Sequence, residues 1–368
     1  MKRRRLIGYA AAASATACQA PNFRAHNEGD RLTQPSVRWR MATSWPKSLD
    51  IVFGTANTIC QRLSTITSGR FTITPYGSGE IAPSLGVLDA VADGTVECGY
   101  TAGYYYTDKH PTLSFGTAIP FGFNAQQQSS WLFQGGGLEA LRKIYADFNV
   151  VNFPAGSTGA QMGGWFMQEI DSVNALKNLR MRIPGLGGDV LQRLGMKTQV
   201  LPGGKIFAAL EAGEIDAAEW VGPYEDSRLG LNRIAPFYYY PGWWEPGTTY
   251  EIQVNQGAWQ LLSLEYQEIF QAVVASVSGE MVNKYDAVNS QALKKLVAQG
   301  TQLRRYPDSV LRQAQQTAFE MYEDMAADAA FHAMYGNWKD FRRRIYDWNR
   351  LNELGFAEFS FNAASGAD

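Results

Sequence analysis

Arg182 lies at the end of the stretch Leu179-Arg180-Met181-Arg182-Ile183, which Pro184-Gly185 terminates. A guanidinium at the carboxyl end of a strand lies where α/β sheets bind ligands. Its planar fork can grip a carboxylate through two parallel hydrogen bonds; the alternative is a surface salt bridge. Glu219 sits beside Trp220, where a short apolar run meets Gly222 and Pro223. A carboxylate in an aromatic setting is costly unless a cation or hydrogen-bond donors meet it. Gln161, in Thr158-Gly159-Ala160-Gln161, offers a side-chain carbonyl, and Glu245, after Pro241-Gly242-Trp243-Trp244, offers a second carboxylate. Hard cations take such oxygens, and backbone carbonyls as well. Taken singly, each of these residues also has an ordinary structural reading.

Catalytic chemistry finds less support. The three histidines are His26, His110 and His332, and none falls in a metal-ligand spacing. There is no G-x-S-x-G elbow. Leu201-Pro202-Gly203-Gly204-Lys205 lacks the P-loop pattern, and Gly185-Leu186-Gly187-Gly188 is a weak echo of a dinucleotide turn. The cysteines Cys18, Cys60 and Cys98 form neither a zinc spacing nor a disulfide framework. Cys60 and Cys98 read as two buried thiols, with a bridge between them as the alternative.

The elements that must position these groups follow from periodicity. Val37 to Ala42 alternates as a strand, residues 51–67 carry helical apolar spacing, Gly69 stops that helix, and Phe71-Thr72-Ile73-Thr74 is a second strand. This is the start of an α/β domain. LDAVADGTVECGYTAG (88–103) and FAALEAGEIDAAEWVG (207–222) share one plan: a short helix, a glycine at the C-cap, then a strand running into a turn. Two such units, far apart, suggest two similar lobes. Gly163 to Phe166 reads as a strand, Asp171 to Lys177 as a short helix, Leu179 to Ile183 as a strand with Arg180 and Arg182 on one face, and Asp189 to Leu194 as a helix closed by Gly195. After residue 260 the pattern is helical: Tyr266 to Lys284, Ser290 to Gln299, an Asp308-capped helix to about Met334, and Trp338 to Leu354. Arg342-Arg343-Arg344 reads as a solvated helix face.

With 368 residues the chain is long enough for two domains or one two-lobed unit, and 33 Lys+Arg against 35 Asp+Glu gives no reason to expect nucleic acid. The aromatic content of 13% suits a cleft, although most such residues belong to a core. MKRRRLIGYAAAASATACQA has the basic, apolar and small-residue layout of an export signal, with a twin-arginine or a plain Sec reading. Ala15 stands where a lipoprotein box has Leu, so lipidation at Cys18 is not favoured. Residues 19–35 read as a linker.

STGAQMGGWF, LRMRIPG, IDAAEWVGPYEDSRLG and YYYPGWWE, with VRWRMATSWPKSLD and GTVECGYTAGYYY, together resemble the extracytoplasmic solute-binding subunits of TRAP transporters. The nearest branch binds 2-oxo acids such as pyruvate, with related members binding lactate. The resemblance implies an α/β, bilobal periplasmic-binding-protein fold with a hinge and a C-terminal helical tail. Lobe I would span 36–158 with a return at about 245–285, lobe II 159–244, and the tail 286–368. It implies that Arg182 binds the ligand carboxylate and that a sodium or calcium ion bridges ligand and protein. The ion would be held by Gln161, Glu219, the backbone carbonyl of Trp220, and Glu245. Tyr104, Trp243 and Trp244 would wall the ligand. The implied partners are the membrane permease and, through the C-terminal helices, a second copy. Presentation of the bound acid to a sensor, or a periplasmic enzyme acting on such acids, are the competing readings.

Overall fold

The computed structural model describes residues 35–364. The export signal, Cys18, His26 and all but the last residue of the linker lie outside these. Strands fall into two sheets. The first is ordered β2-β1-β3-β10-β4, from β1 (Val37–Thr43), β2 (Phe71–Tyr76), β3 (Cys98–Thr101), β4 (Val150–Gly159) and β10 (Thr248–Asn255). β1 runs parallel to β2 and β3, while β10 is antiparallel to β3 and β4. The second is ordered β11-β9-β5-β8-β6-β7, from β5 (Trp165–Phe166), β6 (Arg180–Arg182), β7 (Lys197–Gln199), β8 (Ala217–Ala218), β9 (Phe237–Tyr240) and β11 (Gln302–Arg305). Each sheet with its helices is one α/β lobe, as the resemblance implied.

Local signals account for most boundaries. Alternation in β1 buries Trp39 and Met41, and Trp39 meets Phe71 of β2 edge-on at 4.9 Å. Helix Val52–Ile66 covers them with Val52, Ala56, Ile59 and Leu63. It ends at Thr67, whose hydroxyl donates to the Leu63 carbonyl, and Gly69 takes a left-handed φ of 73°. The two similar units fall one in each sheet: helix Val87–Ala92 leads to β3, and helix Gly203–Glu211 leads to β8.

The C-terminal half differs from expectation in four places. Tyr266–Lys284 and Ser290–Gln299 are parts of one helix, Leu264–Ala298, because nothing between them breaks it; Ser263 caps it, accepting from the Tyr266 N–H. The next helix begins with Asp308 rather than being capped by it, Pro307 being the cap, and ends at Met325. Asp328 caps the following helix, Ala329–Asn349. Gln302–Arg305, read as part of a helical tail, is a strand parallel to β9. Its order comes from a partner more than sixty residues earlier, which local periodicity does not report. Cys60 and Cys98 are free and buried. Among the described residues no helix is long and apolar enough to cross a membrane.

The chain passes between the sheets at 160–164, at 241–247 and along helix Leu264–Ala298. The first two crossings lie side by side, with the Gln161 N–H donating to the Glu245 carbonyl at 3.2 Å. Helix Pro223–Leu229, beside the second sheet, reaches the segment after β1. Tyr224 donates to Asp50 at 2.9 Å, Arg228 donates to the Ser48 carbonyl at 2.8 Å, and Glu225 accepts from the Val52 N–H at 3.4 Å.

Candidate functional site

β6 lies between β7 and β8, with Arg182 opposite Ala218. Arg180 and Arg182 share a face yet meet different fates. Arg180 pairs with Asp216 at 2.6 Å at the surface, while Arg182 is 1% exposed. The chain leaves β6 through Pro184 and Gly185. Gly185 has a φ of 65°, and a Cβ there would sit 3.0 Å from the Cβ of Tyr104. Glycine thus lets the first turn of helix Gly185–Arg193 close against Tyr104, which comes from the other lobe.

The Arg182 guanidinium is held by donors and acceptors from three segments. Its Nε donates to the Leu201 carbonyl at 3.0 Å, and its Nη1 donates to the Glu219 backbone carbonyl at 3.1 Å and to the Glu219 carboxylate. The Trp220 ring lies 5.1 Å from the guanidinium carbon. Only Nη2 is buried without a partner. The two parallel bonds expected for a ligand carboxylate are therefore not both open, because Glu219 serves as the counter-ion of Arg182.

Glu219 follows β8, and its N–H donates to the Arg182 carbonyl at 3.1 Å. The turn after it is fixed by Asp226. That carboxylate accepts from the Val221 N–H at 3.0 Å, the Gly222 N–H at 2.9 Å, Trp165 Nε1 at 2.9 Å and the Tyr238 hydroxyl at 2.7 Å. On the neighbouring crossings, Gln161 Nε2 donates to the hydroxyls of Thr248 at 3.0 Å and Thr158 at 3.3 Å. The Thr248 hydroxyl donates to Glu245 at 2.8 Å. Tyr104 and Tyr105 are close enough to feel the charges of Glu245 and Arg182, but neither hydroxyl forms a hydrogen bond with them.

Burial dominates the electrostatics. Glu219 and Glu245 are each almost wholly buried. Desolvation raises Glu219 well above the ordinary carboxylate range, Glu245 adds to the rise, and Arg182 opposes it. Desolvation also pushes Glu245 up to about 7, against hydrogen bonds from Thr248 and the charge of Arg182. With both carboxyls ionised, two negative charges face one guanidinium. The cluster then lacks one positive charge, which a cation would supply.

The residues present fit a hard cation. Gln161 Oε1, Glu219 Oε2 and Glu245 Oε1 are all buried without a hydrogen-bond partner. Buried oxygens are rarely left so, and unpaired oxygens in one place point to an ion or a ligand. No group of three or more His, Cys, Asp or Glu side chains suits a metal among the described residues, since this set has two carboxylates and an amide. Trp220 and Tyr104 are buried against Arg182 and Glu245. Trp244 is buried too, but its ring contacts are with Trp243 at 4.8 Å and Tyr306 at 6.0 Å, and its Cβ packs on Gly187. Trp243 stacks on Phe121 at 5.1 Å. Sequence reasoning missed Tyr105, Thr158, Thr248 and Asp226. Asp226 lies within the quoted IDAAEWVGPYEDSRLG stretch, but nothing local marks it as a hub.

Two α/β lobes closed over a buried arginine and unpaired oxygens define a solute receptor. A family model described as bacterial extracellular solute-binding protein, family 7, matches residues 41–329, and the chain belongs to that family. It is 55% identical over 361 residues, covering 98% of this chain and 99% of the relative, to a monocarboxylate 2-oxoacid-binding periplasmic protein of Nostoc sp.. A TRAP transporter solute binding protein from Bordetella bronchiseptica RB50 superimposes with a TM-score of 0.89 at 42% identity, over 91% of this chain and 100% of that one. That crystal structure is a mixed occupancy dimer, with copurified calcium and picolinate in one site and the other site apo. A TRAP periplasmic solute binding protein from Pseudoalteromonas atlantica T6c, with bound sodium and pyruvate, has a TM-score of 0.85 at 33% identity, over 88% of this chain and 99% of that one.

Proposed function

We propose that this chain is the periplasmic receptor of a TRAP transporter. It binds a 2-oxo or 2-hydroxy monocarboxylate through Arg182 and a bridging cation, delivers it to the membrane permease, and catalyses no reaction. The observation that carries this is one sealed cluster holding three orphaned oxygens and an orphaned guanidinium nitrogen. Gln161, Glu219, Glu245 and the Trp220 carbonyl would hold the ion, which supplies positive charge and coordination to the acid's oxygens. A 2-oxo acid offers a keto oxygen beside its carboxylate, so it can chelate where a simple monocarboxylate cannot.

Glu219 couples the two ligands. In turning from Arg182 to a cation it frees Nη1, and Arg182 then presents Nη1 and Nη2 to the acid as a fork. Two carboxylates and one acid against one guanidinium leave a double negative charge, which favours calcium over sodium. Tyr104 closes the site from lobe I, and Trp244 backs the Gly187 turn. The crossings at 160–164 and 241–247 would be the hinge, with lobe I at 36–158 plus the return from about 245, and lobe II at 159–244. The Asp50–Tyr224–Arg228 contacts would latch the closed form. Export by the N-terminal signal places the receptor in the periplasm.

Leu351, Phe356, Phe359 and Phe361 are each more than 70% exposed at the end of the tail. Large apolar side chains left this exposed along a terminal helix call for a cover, and a second copy supplies one. Truncation after Asn349 should then convert a dimer to a monomer in sedimentation.

The deciding experiment is calorimetric titration with pyruvate, longer 2-oxo acids and lactate, each with sodium, with calcium and after chelation. Binding of one acid that depends on one cation is expected. Absence of binding under all conditions would remove the proposal.

A further inference from the structure

Of the Arg342-Arg343-Arg344 triplet, Arg343 pairs with Asp340 at 3.1 Å and Arg344 stays exposed, as a solvated face requires. Arg342 behaves differently. It is half-buried, its guanidinium carbon lies 4.1 Å from the Tyr346 ring centroid, 5.1 Å from Phe319 and 5.6 Å from Trp338, and its Nε is buried without a hydrogen-bond partner. Among the described residues it makes no ion pair. Aromatic faces stabilise such a cation in part, but they leave its buried Nε–H unsatisfied.

Arg342 lines a cavity of about 350 Å³ between the C-terminal helices and the two crossings. No acidic residue lines this cavity. Trp243, on its wall, is 4% exposed and its Nε1–H is a second buried donor without a partner. Phe121 stacks on Trp243 with an interplanar angle of 15° and holds a φ of 55°, which a bulky L residue rarely adopts. Strained backbone of this kind persists only where the surroundings enforce it and clusters at ligand sites. Leu311, Pro241 and Pro246 complete an apolar lining.

We propose that this cavity is a second binding site, separate from the Arg182 cluster, for a small organic carboxylate with a flat apolar body. Arg342 and the Trp243 indole N–H meet the carboxylate, and the Phe121–Trp243 stack and the prolines cover the body. Gln161 also lines the cavity, and Pro246 follows Glu245, so the site abuts the crossings from outside the sealed cluster.

Benzoate is the probe, because it has no second oxygen donor for a chelating cation. It is titrated by calorimetry into the full protein saturated with pyruvate and calcium, and into the Arg182→Ala variant. The Trp243 indole resonance, assigned with Trp243→Phe, reports its position. Benzoate should bind in both backgrounds and shift that resonance. Arg342→Gln should weaken binding at least about tenfold, as loss of a charge-assisted contact does, and Arg342→Lys should weaken it less. Should Arg342→Gln fail to fold, Trp243→Phe keeps an aromatic ring, removes the donor and should still weaken binding. No binding at millimolar benzoate, binding unchanged by either substitution, or an unmoved Trp243 resonance would each overturn the proposal. Because the Arg182→Ala arm needs no 2-oxo acid, this result does not depend on the transport reading.

Discussion

Glu219 and Asp226 are both 1% exposed and lie on the same short segment, yet they are solvated in opposite ways. Asp226 accepts four hydrogen bonds, two from backbone N–H groups and two from ring-borne donors, and neither of its oxygens is left over. Glu219 spends one oxygen on Arg182 and keeps the other unpaired, as Glu245 does beside it. A carboxylate whose hydrogen bonds are complete holds a fold in one shape. One left with an empty oxygen in a dry site stores a demand that a ligand can meet. The same carboxylate group thus separates structure from function by its partner count.

The largest test of this contrast is Arg182→Ala. It removes the counter-ion of Glu219 and the proposed acid anchor together, and acid affinity should fall by at least about 4 kcal/mol, as for a desolvated charge pair. Calorimetry on the folded variant reads this, and near-native affinity would break the contrast at its centre. Asp226→Ala should instead cost about 3 kcal/mol of stability in urea unfolding, since four buried donors lose their acceptor. If stability held while acid binding collapsed, Asp226 would belong to the ligand site. Glu245→Gln should cut cation-dependent acid affinity about 10- to 100-fold, because it removes one of the two negative charges that would hold the ion. In the ligand-free protein the same change should raise the thermal midpoint, because it relieves the repulsion with Glu219.

Glu225 sharpens the comparison as an intermediate case. Its Oε1 accepts from the Tyr285 hydroxyl at 3.0 Å and from the Val52 N–H, and its Oε2 has no partner. Burial raises its carboxyl to about 7, with Tyr285 and Val52 opposing, Asp50 adding and Arg228 lowering. A raised carboxyl contributes stability that is full below its unfolded value and is lost as pH rises through the folded one. Glu225→Gln should therefore match the parent at pH 4 and be more stable by about 3 kcal/mol at pH 8. Melting curves across that range check it, and equal midpoints at both ends would show that burial does not raise this carboxyl.

Much of the fold was legible in the chain. Alternation placed β1, β2 and β6, the two helix–glycine–strand units marked the two lobes, and the turn chemistry of Pro184-Gly185 put Arg182 at a strand end. These signals are local: side-chain period and positive φ at glycine are set by neighbours within a turn or two. The candidate residues were also nameable, because charge beside an aromatic run is conspicuous in one dimension. The tertiary structure alone decided which of those charges are satisfied. Glu245 meets Gln161 only because two crossings pack together, Tyr104 arrives from the other lobe, and Asp226 gathers donors from Trp165 and Tyr238. β11 likewise owes its existence to β9 rather than to its own pattern. A hydrogen bond needs both partners in place, so an unpaired oxygen, and the function it implies, exists only once distant segments have met.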